Sequence, residues 1–361
     1  MTSQISAVSL RIAIVYRLLN LTARMLLPLA LSLLVGALLI LAAGQNPFLT
    51  YASLFKAGFS CNTGPGRCAL VTALQFSTPL ILTGLSAAVA WRGGFFSIGQ
   101  LGQMLFGAAA ASWVAGSLSL PPVIQSAAAL LGAMLMGGLW GLVPAVLKHY
   151  IGVNEIIATL LLNPIASGLV GMLHLPRVDV SARLLPMIPS TKFTVGFFVA
   201  LAAAVLTYLF LWLTSSGLEI RTHANAPRFA LYGGMPLRKP VMLTMFISGA
   251  LAGLAGGVEV LGVHYHFVSS FSAVNDFDGL IVAFAGNLHP AGVLLFAFLL
   301  GGLRTGSIVG LQIHSGISRE LGSALIALML IFVATKKSFR FLREKQANIQ
   351  SAEQRHEKSH S

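Results

Sequence analysis

The chain has 361 residues, of which 56% are hydrophobic and 9% charged, with a mean hydropathy of +0.83. A soluble domain carries about 25% charged residues, so this composition excludes a water-soluble globular protein and requires lipid around most of the surface. The net charge of +13 does not mark a nucleic-acid surface, because the basic residues sit in short runs beside apolar segments, the arrangement of cytoplasmic loops.

Arg11, Arg17 and Arg24 precede the first long apolar run, 25–43. The run is too long for a signal-peptide core and no small-residue cleavage pattern follows it, so it reads as a retained anchor. A bilayer-spanning helix takes about 20 apolar residues. Further runs of suitable composition follow at 69–91, 95–117, 122–147, 155–174, 193–213, 241–263, 277–288, 291–305 and 318–335. Asn287, His289 and Pro290 interrupt the eighth and ninth, which form either two short spans or one kinked one. About ten crossings result, in an all-α polytopic membrane protein. An even count with the N-terminus inside puts sixteen of the 23 Lys and Arg residues on the cytoplasmic side and seven outside. Both termini are therefore expected in the cytoplasm. Residues 1–24 are read as a cytoplasmic segment, 25–335 as the membrane domain, and 336–361 as a basic, disordered tail at the headgroups of the cell (inner) membrane.

Cys61 and Cys68, in CNTGPGRC, are too few for a metal site. They close a disulfide if their loop faces an oxidising compartment and remain inert thiols otherwise; the outside placement favours the disulfide. In FFSIGQLGQMLFGAAAASW, Ser97, Gln100 and Gln103 fall within an arc of roughly 120° on a helix. Their face meets either a neighbouring helix or a hydrated solute path. Asn163 and Gln75 are candidates of the same kind. Glu259, in GGVEVLGVHYHF, is the clearest intramembrane carboxylate; it pairs with a cation, stays protonated, or lines a cavity. With His264 and His266 nearby it also keeps open a proton- or sodium-coupled carrier. Gly249, Gly253 and Gly257, with Gly137 and Gly141, repeat at a spacing of four, which suits close helix packing inside one bundle. The phosphate loop GxxxxGK[ST], HEXXH and GXSXG are absent, so no enzymatic role or ATP binding is expected of this chain.

The loop 215–240 is longer and more polar than a connector requires. Ala224–Leu231 reads as a short helix with Pro227 in its first turn, ended by Gly233-Gly234. It suits transmission of motion from a soluble partner, or simple residence at the bilayer surface.

Five stretches then bear a family likeness: AVAWRGGFFSIGQLGQMLFGAAAASWVAG (88–116), GVNEIIATLLLNPIA (152–166), GLEIRTHANAPRFALYGGM (217–235), SGALAGLAGGVEVLGVHYHF (248–267) and FDGLIVAFAGNLHPAGVLL (277–295). In this order they resemble the permeases of ATP-binding cassette importers for nucleosides and simple sugars, a group that includes ribose and branched-chain amino acid permeases. The resemblance implies a type II importer permease fold of about ten helices. It also implies a second permease subunit, ATPase subunits that use the ATP, and an extracytoplasmic solute-binding protein. The loop 217–235 would carry the helix coupling to the ATPase, with Asn225, Pro227, Arg228, Tyr232 and Gly234 at matching positions; Asn154 and Glu155 match a motif at the start of the fifth span. The solute path would be lined by Ser97, Gln100, Gln103, Asn163 and Glu259. Where relatives show FNIGAEGQ, this chain has FSIGQLGQ, losing an acid from that path.

Overall fold

A computed structural model of the chain describes residues 33–42, 44–61, 68–189, 191–235, 238–268 and 272–308. Residues 25–32 and 43 of the first predicted span, the tenth (318–335) and both termini lie outside these residues. The chain divides into two units, and the first contains Met1–Ser53 and Leu311–Ser361. Its described part is α1 (Leu33–Ala42) and the opening turns of α2 (Pro47–Phe59). The break between them falls at Gly44, whose φ of +76° lies in the left-handed region. Asn46 starts α2 by accepting the Phe48 N–H through Oδ1 at 3.0 Å.

The second unit, Leu54–Gly310, holds the remaining helices: α3 (Ala69–Arg92), α4 (Gln100–Ser117), α5 (Pro122–Val146), α6 (Glu155–Gly171), α7 (Gly196–Leu213), α8 (Ser215–Asn225), α9 (Pro227–Tyr232), α10 (Arg238–Glu259), α11 (Ser272–Ala285) and α12 (Pro290–Gly306). Among the described residues, four helical stretches are long and apolar enough to cross a membrane: Ala69–Arg92, Pro122–Ile151, Gly196–Leu213 and Lys239–His264. The bent pair α1–α2 makes a fifth if counted as one span. The other predicted spans in this region appear as α4, α6, α11 and α12. The eighth and ninth are two separate helices: the turn 286–289 between α11 and α12 places Asn287 and Leu288 at positive φ.

The sorting of these helices follows their side chains. The helix α3 is buried along most of its length, with Leu80, Leu82, Leu85 and Val89 in the core. The helices α5, α6 and α7 turn rows of leucine outward, among them Leu131, Leu135, Leu161, Leu169, Leu206 and Leu213. Exposed apolar rows are stable against lipid tails and not against water. Because lipid tails give no hydrophobic drive for helix association, close packing needs small residues. They form one seam joining α4, α5 and α10. A Cβ on Gly253 would strike the Ala133 carbonyl, one on Gly107 would strike Gly253, and one on Gly249 would strike Gly137. The spacing-of-four glycines thus pack against helices of the same chain.

Candidate functional site

Helix α4 begins at Gln100, later than the run 95–117 suggests. Gly94, at φ +76°, ends the turn after α3, and residues 95–99 run as non-helical backbone before α4. Such backbone away from water must find partners within the protein. Helix α6 supplies them. The Ile98 N–H donates to Thr159 Oγ1 at 3.1 Å, the Ile98 carbonyl accepts from Asn163 Nδ2 at 2.9 Å, and the Gly102 N–H donates to Asn163 Oδ1 at 3.0 Å. The position before α4 is Gly99, which has no side chain to cap the free N–H groups of the first turn. Asn163 caps that turn from the neighbouring helix.

Ser97 precedes the helix, so the predicted arc of Ser97, Gln100 and Gln103 on one helical face does not form. The Ser97 hydroxyl accepts the Gly99 N–H at 3.2 Å, and its carbonyl accepts from Trp91 Nε1 at 3.0 Å. Gln100 and Gln103 sit in the first turn of α4, essentially fully buried. Gln100 Nε2 reaches the Ser97 carbonyl at 3.5 Å, a long contact. The Oε1 atoms of both glutamines have no hydrogen-bond partner among the described residues. Gln103 also lines a recess with Gly99, Trp140, Pro144, Thr159 and Leu162. The arrangement therefore offers two buried acceptors, which suit a donor such as a hydroxyl, an amine or water.

Glu259 is not brought to this group. It ends α10, past Gly256, whose missing side chain lets the Met104 carbonyl approach. Its Oε2 lies 3.3 Å from His264 Nε2 across the π-helical turn Val260–His264. That turn is tied to the segment after α6: the Val178 N–H donates to the Tyr265 carbonyl and the Leu184 N–H to the Leu261 carbonyl, each at 3.1 Å. Gln75, on α3, is half-buried.

The loop 215–240 is more ordered than its sequence suggests. Thr214 caps α8 by accepting the Gly217 N–H at 3.1 Å, so Ala224 and Asn225 belong to α8, and the short helix starts three residues later, at Pro227. The Asn225 amide is turned back onto the Arg221 carbonyl at 2.8 Å. Helix α9 ends through the Met235 N–H on the Ala230 carbonyl and the Gly234 N–H on the Leu231 carbonyl, with Gly234 at φ +71°. Ala230 is buried, while Pro227, Arg228, Phe229 and Leu231 are exposed and Tyr232 is 92% exposed. At the same end of the bundle, Asn154 caps α6 by accepting the Ile156 N–H at 2.9 Å, and Glu155 pairs with Lys148 at 2.9 Å.

Two features were not picked out from the sequence. Thr159 lies four residues before Asn163, one helical turn, and so shares its face. Asp278 and Arg304, from adjacent apolar runs, meet at 3.6 Å, and Arg304 also lies over the Phe76 ring. An acid and a base in neighbouring spans was a legible signal, since such charges pair when buried. Cys61 and Cys68 are paired, their Cα atoms 4.3 Å apart, around residues 62–67, which are outside the described ones.

Among the described residues, helices with lipid-facing leucine rows and a glycine seam define a polytopic membrane protein. The chain belongs to the family described as branched-chain amino acid transport system / permease component, which it matches over residues 69–334. It is 35% identical over 344 residues to the guanosine ABC transporter permease protein NupP of Bacillus subtilis, covering 90% of this chain and 97% of that one. It is 30% identical over 360 residues to the nucleoside ABC transporter permease protein NupB of Lactococcus lactis, covering 92% and 97%. A glucose ABC transporter permease of Haloferax volcanii is 28% identical over 86% of each chain. No solved structure matches significantly. The chain is thus a multi-pass permease subunit of an ATP-binding cassette transport system and not its ATPase, and the carrier driven by protons or sodium is set aside.

Proposed function

We propose that the chain forms one half of the translocation path of a nucleoside importer in a bacterial inner membrane, with a simple sugar as the second solute class. The fold assigned to it is the type II importer permease, with about ten crossings and both termini cytoplasmic. It works beside a second permease subunit, with ATPase subunits below and a solute-binding protein outside. The observation that carries this reading is α9: a six-residue helix, fixed at both ends, that presents Arg228, Phe229, Leu231 and Tyr232 outward with only Ala230 buried. A surface of that kind fits a groove on a soluble partner. Gln100 and Gln103 are assigned to the path because their acceptor oxygens are unpartnered at depth, and nucleosides and sugars both bring hydroxyl donors. Ser97 and Asn163 are assigned to shaping that path, since their polar atoms hold its backbone; Glu259 borders it at the far end.

The test is uptake of labelled guanosine, other nucleosides and glucose by cells expressing the chain with its ATPase, second permease and binding protein. Nucleoside uptake that vanishes when the ATPase is inactivated supports the assignment. Glucose uptake alone overturns the nucleoside assignment, and uptake independent of the ATPase overturns the importer reading.

A further inference from the structure

Where α3 and α7 end, two arginines share one indole. The Arg92 guanidinium carbon lies 4.9 Å from the centre of the Trp212 ring, and that of Arg221, on α8, lies 5.7 Å from it. The two charges are close enough to act on one another. Neither has a carboxylate partner among the described residues, although Lys148, Arg304 and His264 all do. Glu219, on α8 beside Arg221, forms no ion pair among them either. Arg92 donates Nε to the Leu288 carbonyl at 2.9 Å and Nη2 to the Asn287 carbonyl at 3.2 Å, which leaves Nη1 uncommitted. Arg221 donates only Nε, to Gly217 in its own helix at 3.4 Å, and both of its Nη groups remain.

Around this pair the surface changes from apolar to aromatic to basic. Leu206, Leu209 and Leu213 of α7 are exposed, and Tyr208 is exposed and stacked on Trp212 at 5.2 Å. His289 closes the other side, 4.9 Å from the Trp212 ring. Tyrosine and tryptophan at the end of a lipid-facing leucine row mark the headgroup level of the bilayer. Two like charges brought together there without an acid need an anion, and a guanidinium fork matches phosphate oxygens.

We propose that Arg92, Arg221 and Trp212 form a binding site for the phosphate of an anionic phospholipid headgroup, whose acyl chains lie along the leucine row of α7. The lipid phosphate takes the uncommitted N–H groups of Arg92 and Arg221, and the site pins the junction of α3, α7 and α8 at the bilayer surface. This inference rests on the membrane-embedded helices and not on the identity of the solute.

The test is native mass spectrometry of the purified full chain with phosphatidylglycerol, phosphatidylcholine or inorganic phosphate. Phosphatidylglycerol should bind in preference to phosphatidylcholine. Arg221→Gln should weaken it about fivefold, the scale of one basic residue at an anionic surface, and Arg221→Lys, which keeps the charge but loses the fork, should weaken it by a smaller factor. Because Arg92 also holds the α11–α12 turn, Arg221 is the residue to change first. As a second readout, brominated phosphatidylglycerol should quench the fluorescence of the native chain more than that of Trp212→Phe. Equal binding of the two lipids, unchanged affinity in Arg221→Gln, or equal quenching overturns the site. Inorganic phosphate binding as tightly as the lipid overturns the headgroup assignment in favour of a free anion.

Discussion

Asn163 and Gly102 are joined across two helices by a 3.0 Å hydrogen bond that closes the first turn of α4. The same carboxamide donates to the Ile98 carbonyl, so Asn163→Leu strands one N–H and one C=O together. Each unpaired buried group costs about 1–3 kcal/mol, and a loss of about 2–6 kcal/mol is expected in thermal unfolding of the detergent-solubilised chain. Thr159→Val removes the partner of a single N–H and should cost about half as much, whereas Thr159→Ser should be close to neutral. A variant Asn163→Leu that unfolds like the native chain, yet transports poorly, would move Asn163 from the clamp to solute contact.

The glycine seam makes an opposite pair of expectations. Gly253→Ala puts a methyl group into the Ala133 carbonyl and against Gly137, and overpacking of that kind costs about 1–3 kcal/mol. Gly168→Ala, on the exposed face of α6 with nothing near the added carbon, should be neutral or stabilising by up to about 1 kcal/mol. Thermal stability of the two variants side by side checks the packing directly, since helix propensity alone favours both changes.

How much of this was legible in advance depended on the range of the interaction. Apolar runs located α3, α5, α7 and α10 within a few residues, because a spanning helix is a local property of composition. The glycine spacing pointed to close packing for the same reason. The start of α4 was misplaced, since the backbone of 95–99 departs from helix while its composition does not; what holds it is Thr159 and Asn163, some 60 residues later in the chain. That distance also hid the capping role of Asn163, which in sequence is an isolated polar residue in an apolar run. Helix α8 was missed because its residues are polar and its start depends on the single Thr214 cap. The sequence sets Glu259 near His264 and His266 and leaves a cation as one partner open to it; the π-helical turn that brings His264, five residues on, to its carboxylate is what no periodicity announces.

Asp278 and Arg304 hold α11 to α12 through a largely buried ion pair. Removing the acid takes from the Arg304 charge its carboxylate partner, which is costlier than the pair itself is stabilising. Asp278→Asn should therefore destabilise the chain by about 1–3 kcal/mol. The double variant Asp278→Asn with Arg304→Gln should recover part of that loss. The double-mutant cycle, measured by thermal unfolding, should give a coupling above the roughly 0.5 kcal/mol expected for independent sites; additive effects would show that the two charges are each satisfied elsewhere.

Tyr232 separates folding from coupling because so little of it touches the rest of the chain. At 92% exposure, Tyr232→Ala should change thermal stability by no more than about 0.5 kcal/mol. If α9 docks in a groove of the ATPase, the same change removes an aromatic anchor, the residue type that dominates such contacts, and should weaken association by about 2 kcal/mol or more. Transport should then fall sharply while membrane insertion and yield stay constant, and Arg228→Glu, which reverses charge on the same surface, should act in the same direction. Normal uptake and normal ATPase stimulation in both variants would remove α9 from the coupling interface and leave it as a helix lying on the bilayer. The two outcomes differ in one assay of reconstituted complex, because a helix resting on lipid has no reason to respond to the rate of ATP hydrolysis.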